Sequence, residues 1–326
     1  MTAQASVRSY LGIAKETTRG TAVAASKFIP VAANKLKATD VIDPLFDEGL
    51  RGSNTKYYAY VPGRTRSTVE WGGPVYADTI PWAVAGLLGT VTTTGSTPPY
   101  THVVTLENST AIGGDVLPTS FTLTDFYSAN VRQYAGCQVH DFNLSFSSEG
   151  LLDYDAKATG WASATTTAPT PTFTTVLPAP TWQGVVTIGG TAISNAIDGN
   201  ISMTRPETPI YGIANTQNPF SIFVGPLETS GQIRFVMEAD TELTRFLTNT
   251  QPTISLDWTN GTGASLTQIK AQLNQGAYKS AMIERSKDFV EIVIDLQGIA
   301  NTTDASVGYS PIKWTFQNAI ASGTYQ

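Results

Sequence analysis

Asp153 and Asp155 stand two apart in LLDYDAKATG, on one face of a strand and about 6–7 Å from each other along it. A retaining or inverting glycosidase uses two carboxylates at comparable separations. Asp47 and Glu48 form a second carboxylate pair. The alternative for each is a solvated strand face or turn. His102 and His140 are the two histidines. His140 has the parity of the apolar residues Phe142 and Leu144, so it reads as a half-buried, hydrogen-bonded imidazole and not as a base. The sequence contains no G-x-S-x-G elbow, no H-E-x-x-H pair and no Walker-type glycine loop. Cys137 is the sole cysteine, which excludes an intrachain disulfide and a cysteine-ligated zinc cluster. These residues lead us to expect no enzyme, no cofactor and no metal. The sequons at Asn108, Asn200, Asn260 and Asn301 follow from a composition rich in Asn, Ser and Thr.

Composition narrows the classes further. The chain has 326 residues, of which 41% are hydrophobic and only 14% charged, well under the usual quarter. Small polar residues fill the gap, which suits strands, turns and a surface packed widely against protein. The net charge of −6 gives no basic footprint for gripping nucleic acid. No apolar run reaches 18 residues, so no membrane span is expected. The start, MTAQASVRSYLG, lacks the apolar core of a signal peptide, and a chain made in the cytoplasm is expected.

Period-2 alternation dominates. Phe142, Leu144 and Phe146 alternate with Asp141, Asn143 and Ser145; Ile292, Ile294 and Leu296 alternate with Glu291 and Asp295; Ile312, Trp314 and Phe316 form a third apolar set. From Val139 the first strand carries no Lys or Arg until Lys157. Two helices are expected, over 79–88 and 241–248, both opened by Ala-Asp-Thr with the Asp or Thr as cap. That shared start belongs to an internal repeat. RSTVEWGGPVYADT aligns with GQIRFVMEADT; PTSFTLTDF aligns with PTISLDW; YAGCQVHDFNLSFSSEG aligns with YKSAMIERSKDFVEIVIDLQG; LLDYDAKATGWAS aligns with SPIKWTFQNAIAS. The order predicts two mainly β modules of roughly 135 residues. Their expected bounds are an N-terminal arm (1–27), a first module (28–161), an extended Thr/Pro/Ala-rich linker (162–181), a second module (182–319) and a C-terminal tail (320–326). The glycine pairs Gly113–Gly114 and Gly189–Gly190 read as hairpin turns. Each module carries a turn-rich insertion before its helix, 43–64 and 205–226. Their aromatic and apolar residues are hard to bury locally and invite a partner.

The opening SYLGIAKETTRGTAVAASKFIPV, with its E-T-x-x-G-T-A run, resembles that of the tail tube (major tail) proteins of long-tailed bacteriophages. The stretch YAGCQVHDFNLSFSSEGLLDYDAKATGW resembles that family's late hairpin, and the doubled length resembles its two-module members. The resemblance implies tandem β-sandwich modules, each with one short flanking helix, that self-assemble into rings. Stacked rings would form the tail tube of the virion, through which DNA is ejected into the host without being specifically bound. It implies a trimer with pseudo-sixfold symmetry, or alternatively a hexamer, and contacts with tape measure, tail terminator and distal tail proteins. On this reading Asp141, Asn143, Ser145, Glu291 and Asp295 face the lumen, and Leu45, Phe46, Tyr57, Tyr58, Tyr211 and Phe220 in the two insertions stack one ring on the next. The alternative reading is a tandem β-sandwich adhesin or carbohydrate-binding tail protein, with aromatic loops such as KYYAYVPG stacking on sugars.

Overall fold

The computed structural model describes residues 5–108, 117–127, 130–285, 287–300 and 309–325. The Gly113–Gly114 pair and the Asn301 sequon lie outside them. In the first half the strands are β1 (Tyr10–Lys15), β2 (Lys27–Ile29), β3 (Lys37–Asp47), β4 (Ala59–Pro74), β5 (Gly89–Thr94), β6 (Tyr100–Leu106), β7 (Phe121–Tyr127), β8 (Asn130–Ser147), β9 (Asp153–Gly160) and β10 (Ala164–Thr165), with helix α1 (Ile80–Leu88) before β5. There follow β11 (Gly184–Ile188), β12 (Thr191–Ile193), β13 (Ala196–Thr204), β14 (Glu207–Ile210), β15 (Ser221–Val224), β16 (Glu228–Val236), β17 (Ile254–Asn260), β18 (Thr267–Leu273), β19 (Gly276–Glu284), β20 (Glu291–Gly298) and β21 (Lys313–Asn318), with helix α2 (Thr241–Leu247) before β17.

Two sheets pack face to face over one core. The first contains the antiparallel run β3-β4-β9-β8-β13-β16-β20-β19, and from the N-terminal part of β8 it branches into β7, β1 and β2. The second runs β12-β11-β17-β18-β21-β6-β5. Both sheets cross from one half of the chain to the other. The crossing in the first is β8 against β13. In the second it is β21, which pairs β18 on one side and β6 on the other. Alternation explains the burial. Phe142, Leu144, Ile201, Met203, Ile233, Ile292 and Ile294 point into the core, and their neighbours point to the opposite face. Trp314 of β21 is fully buried over the β8–β13 crossing. Its ring lies 5.6 Å from that of Phe142, and its indole N–H points at the Met203 sulfur, 3.4 Å away.

This arrangement differs from the repeat in its last two blocks. β9 sits between β4 and β8, the place that β20 holds between β16 and β19, so LLDYDAKATG corresponds to EIVIDLQG. SPIKWTFQN becomes β21 in the other sheet. The similar apolar alternation of β9 and β21 had aligned them, since a period-2 pattern carries no information about which sheet buries it. Both expected helices form. α1 is buried along its whole length, whereas α2 has no buried residue. Neither is capped by its aspartate. The Asp78 carboxylate accepts instead from the Thr174 hydroxyl at 2.6 Å, and burial pushes it above the usual carboxylate range. Thr174 lies in the segment 162–181. That segment is mostly irregular, with β10 near its start, and is bound along the first half. Tyr10 donates to the Pro169 carbonyl at 2.8 Å, and Ala179 N–H to Val75 at 2.9 Å. Gly189 and Gly190, both at positive φ, form the two-residue turn between β11 and β12.

The E-T-x-x-G-T-A run has a physical explanation. Glu16, 4% exposed, accepts from Gly20 N–H (2.7 Å), Ser120 Oγ (2.6 Å), Thr122 Oγ1 (2.8 Å) and Gly136 N–H (2.8 Å). One carboxylate thereby joins the turn after β1 to β7 and β8. Gly20 has φ +77°, and a Cβ there would lie 1.9 Å from the Trp161 ring. Glu16→Ala would orphan these buried donors, so we expect a loss of about 3 kcal/mol and a clear fall in the urea midpoint. Glu16→Gln, which keeps the shape, should lose less.

Candidate functional site: a polar sheet face, its two edges and two insertions

The face of β3-β4-β9-β8-β13-β16-β20-β19 that points away from the core is a continuous, mainly polar surface eight strands wide. Its rows are set by register. In one, Lys37 lies opposite Glu70, Glu70 opposite Lys157, and Lys157 opposite Asp141. A second row places Asn143 between Asp155 and Ser202, with Ser230 and Gln297 beyond. A third places Ser145 between Asp153 and Asn200, continuing through Gln232 and Asp295 to Ser280. Asp141, Asn143, Ser145, Glu291 and Asp295 thus share one face of one sheet.

The face is not free of cations. Lys35 reaches Asp153 and Asp155, each at 2.9 Å, so the carboxylate pair that suggested glycosidase chemistry holds an ammonium. Lys157 pairs with Glu70 at 3.1 Å. Arg234 meets Glu284 at 2.5 Å, Glu291 at 3.1 Å and Asp198 at 3.5 Å. Each of these cations is matched by at least one carboxylate. Reading one strand at a time missed them, because Lys157 and Arg234 meet carboxylates of neighbouring strands and Lys35 reaches over from the turn before β3. The strand parity of Lys157 within the hairpin was the available signal. Glu291 differs from the other four residues in being only 1% exposed, clamped between Arg234 and Lys287 (2.8 Å). A cavity of about 380 Å³ opens between Lys37, Glu70, Asp141, Asn143 and Lys157. Among the described residues no cluster of His, Cys, Asp and Glu has metal-site geometry.

The histidines are structural. His140, 6% exposed, contacts Asp141 at 3.2 Å through Nδ1 and the Thr159 hydroxyl at 3.3 Å through Nε2. His102 is fully buried between Thr93 (2.8 Å) and Asn318 (3.2 Å), and burial pushes its pKa down. Burial raises the Cys137 thiol far above its ordinary range.

Insertion 43–64 is a two-stranded arm in which β3 and β4 continue beyond the last residue of β4 that pairs β9, Ser67. Insertion 205–226 is the separate hairpin β14–β15. The two touch. Gln217 donates to the carbonyls of Pro62 (3.0 Å) and Gly63 (2.7 Å), Thr65 N–H donates to Gln217 (2.9 Å), and the Arg64 guanidinium lies 4.8 Å above the Tyr211 ring. Leu45, Phe46, Tyr57 and Phe220 are exposed, Phe220 at 79%. Phe46 and Tyr57 pack on one another at 4.7 Å between ring centres. Tyr58 and Tyr211 are half-buried by partners within the chain. The hairpin is anchored by Arg205, a residue that no motif or spacing singles out. It is 5% exposed and donates to the carbonyls of Gly225 (2.7 Å), Val224 (3.2 Å) and Leu87 (3.0 Å). The last of these is in the final turn of α1, where a cation is favoured.

Asp141, Glu291 and Asp295 are held below the usual carboxylate range. The causes are, in turn, the hydrogen bond from His140, the hydrogen bonds from Lys287 and Arg234, and those from Ser280 and Gln232. Since the unfolded chain binds protons on these groups first, their stabilisation is complete above the ordinary carboxylate pKa. It is lost as pH falls through the lower folded values. Thermal melts should therefore decline gently below about pH 6.5, where the unfolded chain protonates the imidazole that is buried as His102 in the fold, and drop more steeply below about pH 4. In Asp295→Asn the acid limb should be shallower.

A polar face on a long antiparallel sheet, two unpaired edge strands and a pair of apolar insertions are features of a subunit that builds an assembly. No curated protein gives a match to the chain. The family described as phage tail tube protein does, over residues 6–307, and on that near-complete match the chain belongs to the phage tail tube protein family.

Proposed function

We propose that three copies of this chain close into a ring whose inner wall is the β3-β4-β9-β8-β13-β16-β20-β19 sheet, and that stacked rings form the conduit for DNA in the virion tail. The observation that carries the reading is the run of eight antiparallel strands with an open edge at each end, β3 and β19. Eight alternating strands leave β19 antiparallel to the β3 of a rotated copy, so a heterologous contact closes by rotation and removes both edges. Three copies supply about 24 strands at roughly 4.8 Å spacing, tilted about 40°. The circumference is then about 150 Å and the backbone diameter about 48 Å. Side chains leave roughly 35–40 Å, enough for a duplex about 20 Å wide. The two halves of the chain act as the two modules of a pseudo-sixfold ring.

The chemistry of the face suits a conduit. Duplex DNA presents a charge about every 1.7 Å, and unpaired Lys or Arg on the wall would retain it through counterion release. Here Lys35, Lys157 and Arg234 are bound to carboxylates, and Asn143, Ser145, Ser202 and Ser230 are neutral polar groups that would be hydrated in the lumen. The arm and the β14–β15 hairpin leave the same rim of the sheet, where their exposed apolar residues meet the next ring. Tape measure, terminator and distal tail proteins would then cap or fill the tube.

Negative-stain microscopy of the purified protein should show tubes. Replacing residues 45–58 with a short Gly-Asn turn removes Leu45, Phe46 and Tyr57 but leaves the contacts of Gln217. It should yield folded subunits or single rings that do not stack; normal tubes would exclude the arm as the stacking element. Asn143→Lys with Ser230→Lys places cations in the row that runs from Asp155 through Asn143, Ser202 and Ser230 to Gln297 and holds none. Tails carrying both should assemble, yet eject DNA more slowly at low salt and recover toward 1 M salt, where screening shortens to about 3 Å. Equal ejection at low salt would show that this row does not line the path.

A further inference from the structure

The seam between two copies has a template inside the chain. β8 against β13 joins the last strand of one four-strand unit to the first strand of the next, and β19 against β3 of a second copy would be the same kind of junction. Two independent landmarks fix the equivalence. β8 shifts register between Val139 and Asp141, and β19 shifts between Tyr278 and Ser280, which superposes Asp141 on Ser280. The Ala-Asp-Thr starts of the helices superpose Ala77 on Ala239 and hence Glu70 on Gln232. The landmarks agree. Asp141 leads through Lys157 and Glu70 to Lys37, and Ser280 leads through Asp295 and Gln232 to Asn200. Lys37 therefore corresponds to Asn200.

Within the chain the junction places Thr204 opposite Asp141, Ser202 opposite Asn143, and Asn200 opposite Ser145. Carried to the outer edges, and resting on the tube reading above, this gives one register. We infer that β19 pairs β3 of a neighbouring copy with Ser280 opposite Val41, Met282 opposite Thr39, and Glu284 opposite Lys37. The chemistry on the two edges fits. Lys37 and Thr39 are exposed, and among the described residues Lys37 has no carboxylate partner. Met282 is a 54% exposed apolar residue at the edge of the polar face, and the seam would cover it. Glu284 already accepts from Arg234 and retains an oxygen for a second cation. The row Lys37–Glu70–Lys157–Asp141 alternates in sign, and Glu284 extends that alternation by one place across the seam. A shift of two residues would set Glu284 opposite Thr39 and leave Lys37 without its partner.

The register can be read by cross-linking. Cys137 is buried, so engineered thiols act without background. Residues directly opposite in an antiparallel pair have Cα atoms about 4.5–5.5 Å apart, within disulfide range. Neighbours displaced by two residues stand at about 7–8 Å. Assembled Met282→Cys/Thr39→Cys protein, oxidised and run without reductant, should give dimers and trimers, with the ladder ending at the trimer. Met282→Cys/Val41→Cys should cross-link at least ten-fold less. Preferential cross-linking of the displaced pair, or none in tubes visible by microscopy, would overturn the register and leave the tube reading standing. If the unmodified protein forms neither rings nor tubes, the tube reading fails and the register with it. A second variant is independent of thiol geometry. Lys37→Glu faces Glu284 with a like charge and should slow assembly at least ten-fold at low salt, with recovery as salt rises. An unchanged rate at low salt would contradict the pairing.

Discussion

Seven backbone pairs, from Asp198 opposite Ser147 to Thr204 opposite Asp141, join the two halves of the chain, and the rest of the architecture depends on that crossing. It converts two four-strand sheets into one of eight and aligns their polar faces. The crossing is buttressed from behind. β21 inserts between β18 and β6 in the opposite sheet, and Trp314 fills the space beneath Phe142 and Met203. A Trp at that place buries a large apolar area against both halves at once, so neither half can rotate without opening a cavity. The segment 162–181, tied by Tyr10, Asp78 and Val75, allows little slack between them.

Rigidity at the crossing has a consequence for charge. Rows of side chains in register let a lysine or arginine on one strand meet carboxylates on its neighbours, as Arg234 does with Asp198, Glu284 and Glu291. Such pairs contribute little to stability where they are exposed. What they do is hold Lys35, Lys157 and Arg234 against carboxylates, so the middle of the face presents mainly amides, hydroxyls and paired charges, while Lys37 stands exposed at its edge. A surface of this kind neither grips a phosphate backbone nor offers a hydrophobic wall. Arg205 works in the opposite environment. Buried among carbonyls, it fixes the root of the β14–β15 hairpin to the end of α1, which orients an insertion whose tip is braced against the arm.

Much of this was legible in the sequence. Alternation placed Phe142, Leu144, Ile292 and Ile294 inside and Asp141, Asn143 and Asp295 outside, and the Ala-Asp-Thr starts located both helices. The partners of the polar residues were not legible, because register between distant strands decides them. Lys157 finds Glu70 on a strand 87 residues away in the chain. The last repeat blocks were misaligned for a related reason: β9 and β21 share a pattern but fill different sheets. Glu16 could have been found, since an acidic residue followed by a glycine that must take positive φ is a sign of a carboxylate accepting from its own turn. Arg205 could not, because its partners are backbone carbonyls, which carry no signature in the side-chain sequence.

The most direct test of the central claim is a helical reconstruction of the assembled tube, read for the number of chains per ring and for the strand beside β19. A closed inner barrel made by three chains, with β19 of each against β3 of the next, is the expected result. A barrel in which six chains each contribute four strands, or one in which the polar face of β8 and β13 points outward, would contradict it.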